Sequence, residues 1–165
     1  MKNSMIVLLL CCWTLMKVQA QNKVEVNGMT FQYEIKNEQL EITLEAPTTG
    51  WLGVGFNTDN NIVGSDLLLF HIVEGKTEGL DMYVKGFGDP REDKLIGGTD
   101  DIRIISGVES AGHSKVRFSI PLQSKDQYDF KHVAGQDFWL ILAYSVDDDF
   151  GHHSRMRKHI RYRLK

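Results

Sequence analysis

The chain has 165 residues, room for one domain, with 42% hydrophobic and 25% charged residues, the usage of an ordinary globular protein. Three prolines and no fixed-period repeat exclude a Pro-rich linker or a solenoid. The formal net charge of −3 leaves no electrostatic footprint for nucleic acid.

Residues 1–20 have the layout of a secretory signal peptide: a basic start at Lys2, an apolar run from Met5 to Met16, and the small residue Ala20 closing Val18-Gln19-Ala20. Spanning a bilayer takes about 20 apolar residues, so cleavage after Ala20 is expected rather than an anchor. The mature chain, residues 21–165, then keeps 17 basic and 22 acidic residues, a formal charge of −5. Cys11 and Cys12 leave with the leader. Without cysteine there is no disulfide, thiolate metal site or thiol nucleophile. A secreted or periplasmic protein is expected.

Strands follow almost throughout. Met29, Phe31, Tyr33 and Ile35 alternate with Thr30, Gln32, Glu34 and Lys36, the period of a half-buried strand. Leu40, Ile42 and Leu44 repeat the pattern, with Lys36 to Gln39 as a hairpin loop. Trp51 to Phe56 comes next, then Leu67 to Val73, apolar on both faces and therefore central. Leu80 to Val84, Ile102 to Ile105, Val116 to Ile120, Phe138 to Tyr144 and Met156 to Leu164 complete the run. The irregular piece Gln123 to Val133 is expected to hold one short helical turn. About nine or more short strands with such spacing predict an antiparallel, immunoglobulin-like β-sandwich.

Catalytic signatures are missing: no Gly-x-Ser-x-Gly elbow, no phosphate-binding Gly-rich loop and no His-Glu-x-x-His. An enzyme is not expected. Asp147-Asp148-Asp149 reads as a solvated acidic turn or a calcium site. Gly53 and Gly55 share a strand face with Trp51, which leaves space either for a ligand or for an aromatic ring packed over them. His152 and His153 are imidazoles suited to a metal or haem iron, or else to a plain polar loop. Beyond Asp149 there are six basic residues and no acidic one. In a last strand they place Arg157, His159, Arg161 and Arg163 in a positive stripe, which implies an anionic neighbour.

In this order the motifs resemble the DOMON family, exported sandwiches named for the N-terminal region of dopamine β-monooxygenase. The resemblance rests on Gly50 to Asn57, Gly64-Ser65-Asp66-Leu67, Asp81-Met82-Tyr83, Pro90 to Asp93, Phe118 to Leu122, Asp126 to Asp129, and Leu140 to Tyr144 leading to His153. Short chains of this kind look most like exported bacterial proteins. The resemblance implies ligand binding: haem b, as in the cytochrome of cellobiose dehydrogenase, or a sugar. It puts a His iron ligand at His153, with His152 as neighbour, and a Met ligand where this chain has Ile62. Isoleucine cannot ligate iron, so the Met/His pair is broken. One histidine holding a five-coordinate haem, His71 as the second ligand, or a sugar stacked on Trp51, Trp139 or Tyr144 are the remaining readings. Arg161 and Arg163 are expected to meet haem propionates or an acidic glycan, and a redox or cell-envelope protein is the expected partner.

Overall fold

The computed structural model describes residues 22–165; the expected signal peptide, residues 1–20, lies outside them. The elements in chain order are β1 (Asn22–Val26), β2 (Met29–Lys36), β3 (Gln39–Ala46), β4 (Leu52–Asn57), β5 (Asp66–Val73), β6 (Lys76–Gly86), β7 (Asp89–Glu92), the single helical turn α1 (Asp93–Ile96), β8 (Arg103–Ser110), β9 (His113–Pro121), β10 (Asp137–Tyr144) and β11 (Met156–Arg163). They form two antiparallel sheets, a five-stranded one ordered β1-β2-β3-β9-β8 and a six-stranded one ordered β11-β10-β4-β5-β6-β7. The sandwich expected from the strand periods is the observed architecture.

Alternation explains the core. On β2 and β3 the apolar set Met29, Phe31, Tyr33, Leu40, Ile42 and Leu44 is buried, while Thr30, Gln32, Glu41 and Thr43 lie on the other face. Leu52, Val54, Phe56, Leu68, Phe70, Leu140 and Leu142 answer them from the opposite sheet. Phe70 and Phe118 meet across the gap with ring centroids 4.3 Å apart. Each such side chain removed from water contributes roughly 1.5–3 kcal/mol. As expected, β5 is central, paired to β4 on one side and β6 on the other.

Tight turns set the register. Asn27-Gly28 and Glu74-Gly75 both have positive φ, 50° and 81°, and 53° and 78°. That is the left-handed pair whose twist matches two antiparallel strands. Asn37-Glu38 does the same within the expected Lys36 to Gln39 loop, with φ of 49° and 63°.

Two strands go beyond the sequence reading, β1 and β7, both at sheet edges. The helical turn is also corrected: it lies at Asp93–Ile96, and Gln123 to Val133 is irregular. Side chains there capture the amides a helix would need. Ser124 Oγ accepts from Asp126 N at 3.0 Å, Asp126 Oδ1 from Tyr128 N at 2.9 Å, and Asp66 Oδ2 from Phe130 N at 2.9 Å. Among the described residues no helix is long and apolar enough to cross a membrane.

Candidate functional site: the outer face of the six-stranded sheet

An antiparallel sheet with one face on the core ordinarily turns polar side chains outward. The outer face of the six-stranded sheet departs from that rule. Register lines its side chains into rows across β11, β10, β4, β5 and β6. One row reads His159, Ile141, Gly55, Leu67, Met82, and the next Arg157, Ala143, Gly53, Leu69, Leu80. Trp51, Leu69, Met82 and Ala143 are buried there as a second apolar cluster, joined by Leu67, Leu80 and Phe150.

The glycines make room on this face that neighbouring side chains fill. A Cβ on Gly53 would lie 2.8 Å from Leu69 Cδ2 and 3.3 Å from the Trp51 ring, and one on Gly55 would lie 3.3 Å from Ile141 Cβ. At Gly53 the aromatic reading is therefore the observed one: the Trp51 indole packs over the glycine. Trp51 is part of the cluster, 5% exposed.

Loops close both ends. At one end Trp51 Nε1 donates to the His152 carbonyl at 3.2 Å, and Ser145 Oγ to the His153 carbonyl at 3.3 Å. Both imidazoles are exposed. Asp149 accepts from Gly151 N at 2.8 Å, and Asp147 from Asp149 N at 2.9 Å. These two carboxylates thus cap their own turn. At the other end Asn57 Nδ2 donates to the carbonyls of Asn61 at 2.8 Å and Val63 at 3.1 Å, and Ser65 Oγ to that of Ile62 at 2.7 Å. Ile62 is half-buried. Ile62 and His153 thus stand at opposite ends of β4, with the apolar cluster between them.

His71 is on the same face but committed. Its Nδ1 lies 2.8 Å from the Asp148 carbonyl, its Nε2 3.6 Å from Glu78, and its ring stacks on Phe150 at 4.3 Å. Trp139 is half-buried, between Asn57 and Arg161 by register, whereas Tyr144 packs against the main core.

The basic stripe has the expected parity: Met156, Ile160, Tyr162 and Leu164 turn inward, while Arg157, Arg161 and Arg163 are exposed. Two of its members already meet an anion within the chain. Arg163 grips Asp137 with Nε and Nη2, both at 2.7 Å, and Arg161 Nη2 reaches it at 3.2 Å. The Arg163 hydrogen bonds hold the Asp137 carboxyl down at about 2.

His159 is the residue whose place sequence reasoning missed. Parity put it in the stripe, but only strand pairing sets it level with Ile141 and Gly55. Its Nδ1 lies 3.1 Å from Asn60 Oδ1, in the loop that carries Ile62. Burial, and then the neighbouring Arg157, lower its proton affinity, which leaves the neutral, donor form of the ring favoured.

Residues 25–145 match the DOMON domain. The chain belongs to the DOMON domain family. Among curated proteins it is similar to MOXD1 homolog 2 of Drosophila melanogaster, 27% identical over 116 residues, which is 70% of this chain and 15% of that protein. It is also similar to DBH-like monooxygenase protein 2 of Mus musculus, 25% identical over 121 residues, 73% of this chain and 19% of that one. This DOMON chain therefore spans less than a fifth of these relatives' length. Among solved structures, the cytochrome domain of Myriococcum thermophilum cellobiose dehydrogenase superposes with a TM-score of 0.61 at 12% identity, covering 87% of this chain and 81% of that one. The cytochrome b domain of Coprinopsis cinerea pyranose dehydrogenase gives 0.62 at 7% identity, covering 82% and 76%. At such identities the likeness is one of fold.

Proposed function

We propose that this DOMON domain is an exported, non-catalytic binding module that holds haem b against the outer face of its six-stranded sheet and passes single electrons. The observation that carries the reading is the apolar, glycine-containing cluster on a face that should be polar, with loops at both ends and a cationic strand beside it. The two cytochrome domains that share the fold support it, and the leader-like residues 1–20 support export.

The residues fit one half of a haem ligand set. Imidazole is available from His153, with His152 beside it and His159 level with Ile141 and Gly55, whereas Ile62 has no donor atom. The fit is thus to haem iron held by one histidine. Bound there, haem supplies a one-electron ferric/ferrous couple. The chain's own part is physical. Trp51, Leu69, Met82 and Ala143 offer an apolar wall that excludes water. Arg157, and Arg161 and Arg163 where they release Asp137, offer charge to the propionates.

Variants at four positions test the assignment. His153→Ala should lose most haem on gel filtration, and His152→Ala should lose little. Ile62→Met, a swap of similar volume costing less than about 1.5 kcal/mol, should shift the spectrum towards low-spin, six-coordinate iron with a higher reduction potential. Full retention by both His153→Ala and His159→Ala would remove haem from this face.

A second reading has one observation in its favour. Trp139 presents a half-exposed ring between the polar Asn57 and the cationic Arg161, a platform on which a sugar ring can stack. Glycan binding lost in Trp139→Ala, by a protein that retains no haem, would select it.

A further inference from the structure

On the inner side of the same six-stranded sheet four elements bring carboxylates together in two groups that share one member. Asp66 opens β5, Asp81 lies two pairs along on β6 and faces the same inner side, Asp93 starts α1, and Asp129 comes from the irregular segment between β9 and β10. Carboxylate oxygens of Asp66, Asp81 and Asp129 all lie within 4.8 Å of one another, and so do those of Asp93, Asp126 and Asp129. Asp129 belongs to both trios.

What these side chains lack is as informative as where they are. Asp66, Asp81 and Asp93 are 4%, 5% and 0% exposed. Yet Asp66 Oδ1, Asp81 Oδ1, Asp129 Oδ1 and both oxygens of Asp93 are buried with no hydrogen-bond partner among the described residues. Their remaining oxygens are held by neutral donors: Phe130 N on Asp66 at 2.9 Å, and Asp101 N on Asp81 at 2.9 Å. Asp126 differs, because the amides of Thr99 and Tyr128 occupy its two oxygens. Leaving one buried polar group unsatisfied costs about 1–3 kcal/mol, more when it is charged. Three of these oxygens belong to the trio Asp66, Asp81 and Asp129, which together describe a socket. A cavity of about 10 Å³ lies against Asp66, Asp81, Asp101 and Asp129, room for a single small occupant.

We infer that this cluster is a binding site for one divalent cation, calcium by preference, coordinated by Asp66, Asp81 and Asp129, with Asp93 adding its negative charge beside Asp129. The donors are all hard oxygens, with no imidazole or sulfur among them, which favours calcium or magnesium over zinc or copper. Calcium is preferred because it accepts six to eight oxygens at irregular positions, whereas magnesium demands a near-ideal octahedron. The ion clamps the segment 122–136 to β5 and β6. It lies on the inner face of the sheet whose outer face carries Leu67 and Met82, and it uses none of the residues assigned to haem, so calcium binding and haem binding are tested separately.

The test uses the full chain after exhaustive chelation and dialysis, with calcium chloride alone as probe. Isothermal titration should show one ion bound per chain, and added calcium should raise the melting temperature, magnesium less so. Asp129→Asn should weaken calcium binding by about tenfold or more, since affinity follows the number of charged ligands. Should that variant fail to fold, Asp81→Asn on β6 provides the same comparison, with circular dichroism as the check on folding. Absence of heat and of any melting shift with millimolar calcium, in a chelated protein that is folded, would overturn the proposal. So would unchanged calcium affinity in both folded variants.

Discussion

Packed among Phe56, Phe130 and Phe138, the imidazole of His132 is 3% exposed, and neither ring nitrogen has a partner among the described residues. Its backbone is better served: His132 N donates to the Leu122 carbonyl at 2.9 Å, and Gln123 Nε2 donates to the His132 carbonyl at 2.9 Å. Burial alone pulls the ring down to about 4 from 6.5. Between those values the unfolded chain binds a proton that the folded chain refuses, so His132 lowers stability as pH falls from 6.5 towards 4. At about 1.36 kcal/mol per unit, the full effect is on the order of 3 kcal/mol. The buried aspartates titrate in the opposite sense, with Asp81 raised to about 7 and Asp93 to about 8, chiefly by burial. His132→Phe must therefore be compared with the parent at each pH, where the aspartate contribution cancels. Urea melts at pH 7 and pH 4.5 should show the variant gaining stability relative to the parent at the lower pH; equal differences at both would contradict this. Nothing in the sequence marks His132, because it stands in an irregular segment without a period to reveal its direction.

Elements were legible in proportion to their burial. The strands with one clean buried face, β2 and β3, announce themselves by alternation, and β5 by its apolar run. The two that escaped are edges. On β1 only Val24 and Val26 pack against the core, and Lys23 and Glu25 alternate with them over just five residues. On β7 the four residues Asp89–Glu92 include Pro90, which demotes a run to an edge or a turn. Strand β4 shows what period cannot disclose, since all six of its residues are buried, on two faces against two different clusters. Adding a methyl at Gly53 pushes into Leu69 and Trp51. Gly53→Ala should cost about 1–3 kcal/mol, the usual range for overpacking, in a denaturant melt. It should also blue- or red-shift Trp51 fluorescence; an unchanged midpoint and emission would mean the wall is not packed as described. At the start of β10, Asp137→Asn should release Arg161 and Arg163 of β11 while changing the melting temperature little, because exposed pairs contribute little. The same variant should bind haem more tightly at low salt, and a weaker affinity would remove the stripe from the propionate contact.

At the scale of the whole molecule, the sandwich and its family were readable from ordered motifs, because each motif is a local sequence. The site was readable only in pieces. Trp51, Gly53, Ile62 and His153 are visible as motif positions, but the apolar face that joins them is made by pairing β4 with the next strand, β5, and with β10, whose residues lie 82 to 92 positions further along the chain. Asp137's hold on two stripe arginines, and the convergence of Asp66, Asp81 and Asp129, are likewise products of topology. Both faces of the six-stranded sheet thus carry an assignment, an apolar ligand outside and a cation at one inner end. Absorption titration of the purified chain with haemin tests the central one most directly. One equivalent should saturate a sharpened Soret band that His153→Ala fails to develop, and dithionite should convert it reversibly to the ferrous form. A broad, non-saturating spectrum identical to haemin mixed with an unrelated protein would contradict haem binding by this domain.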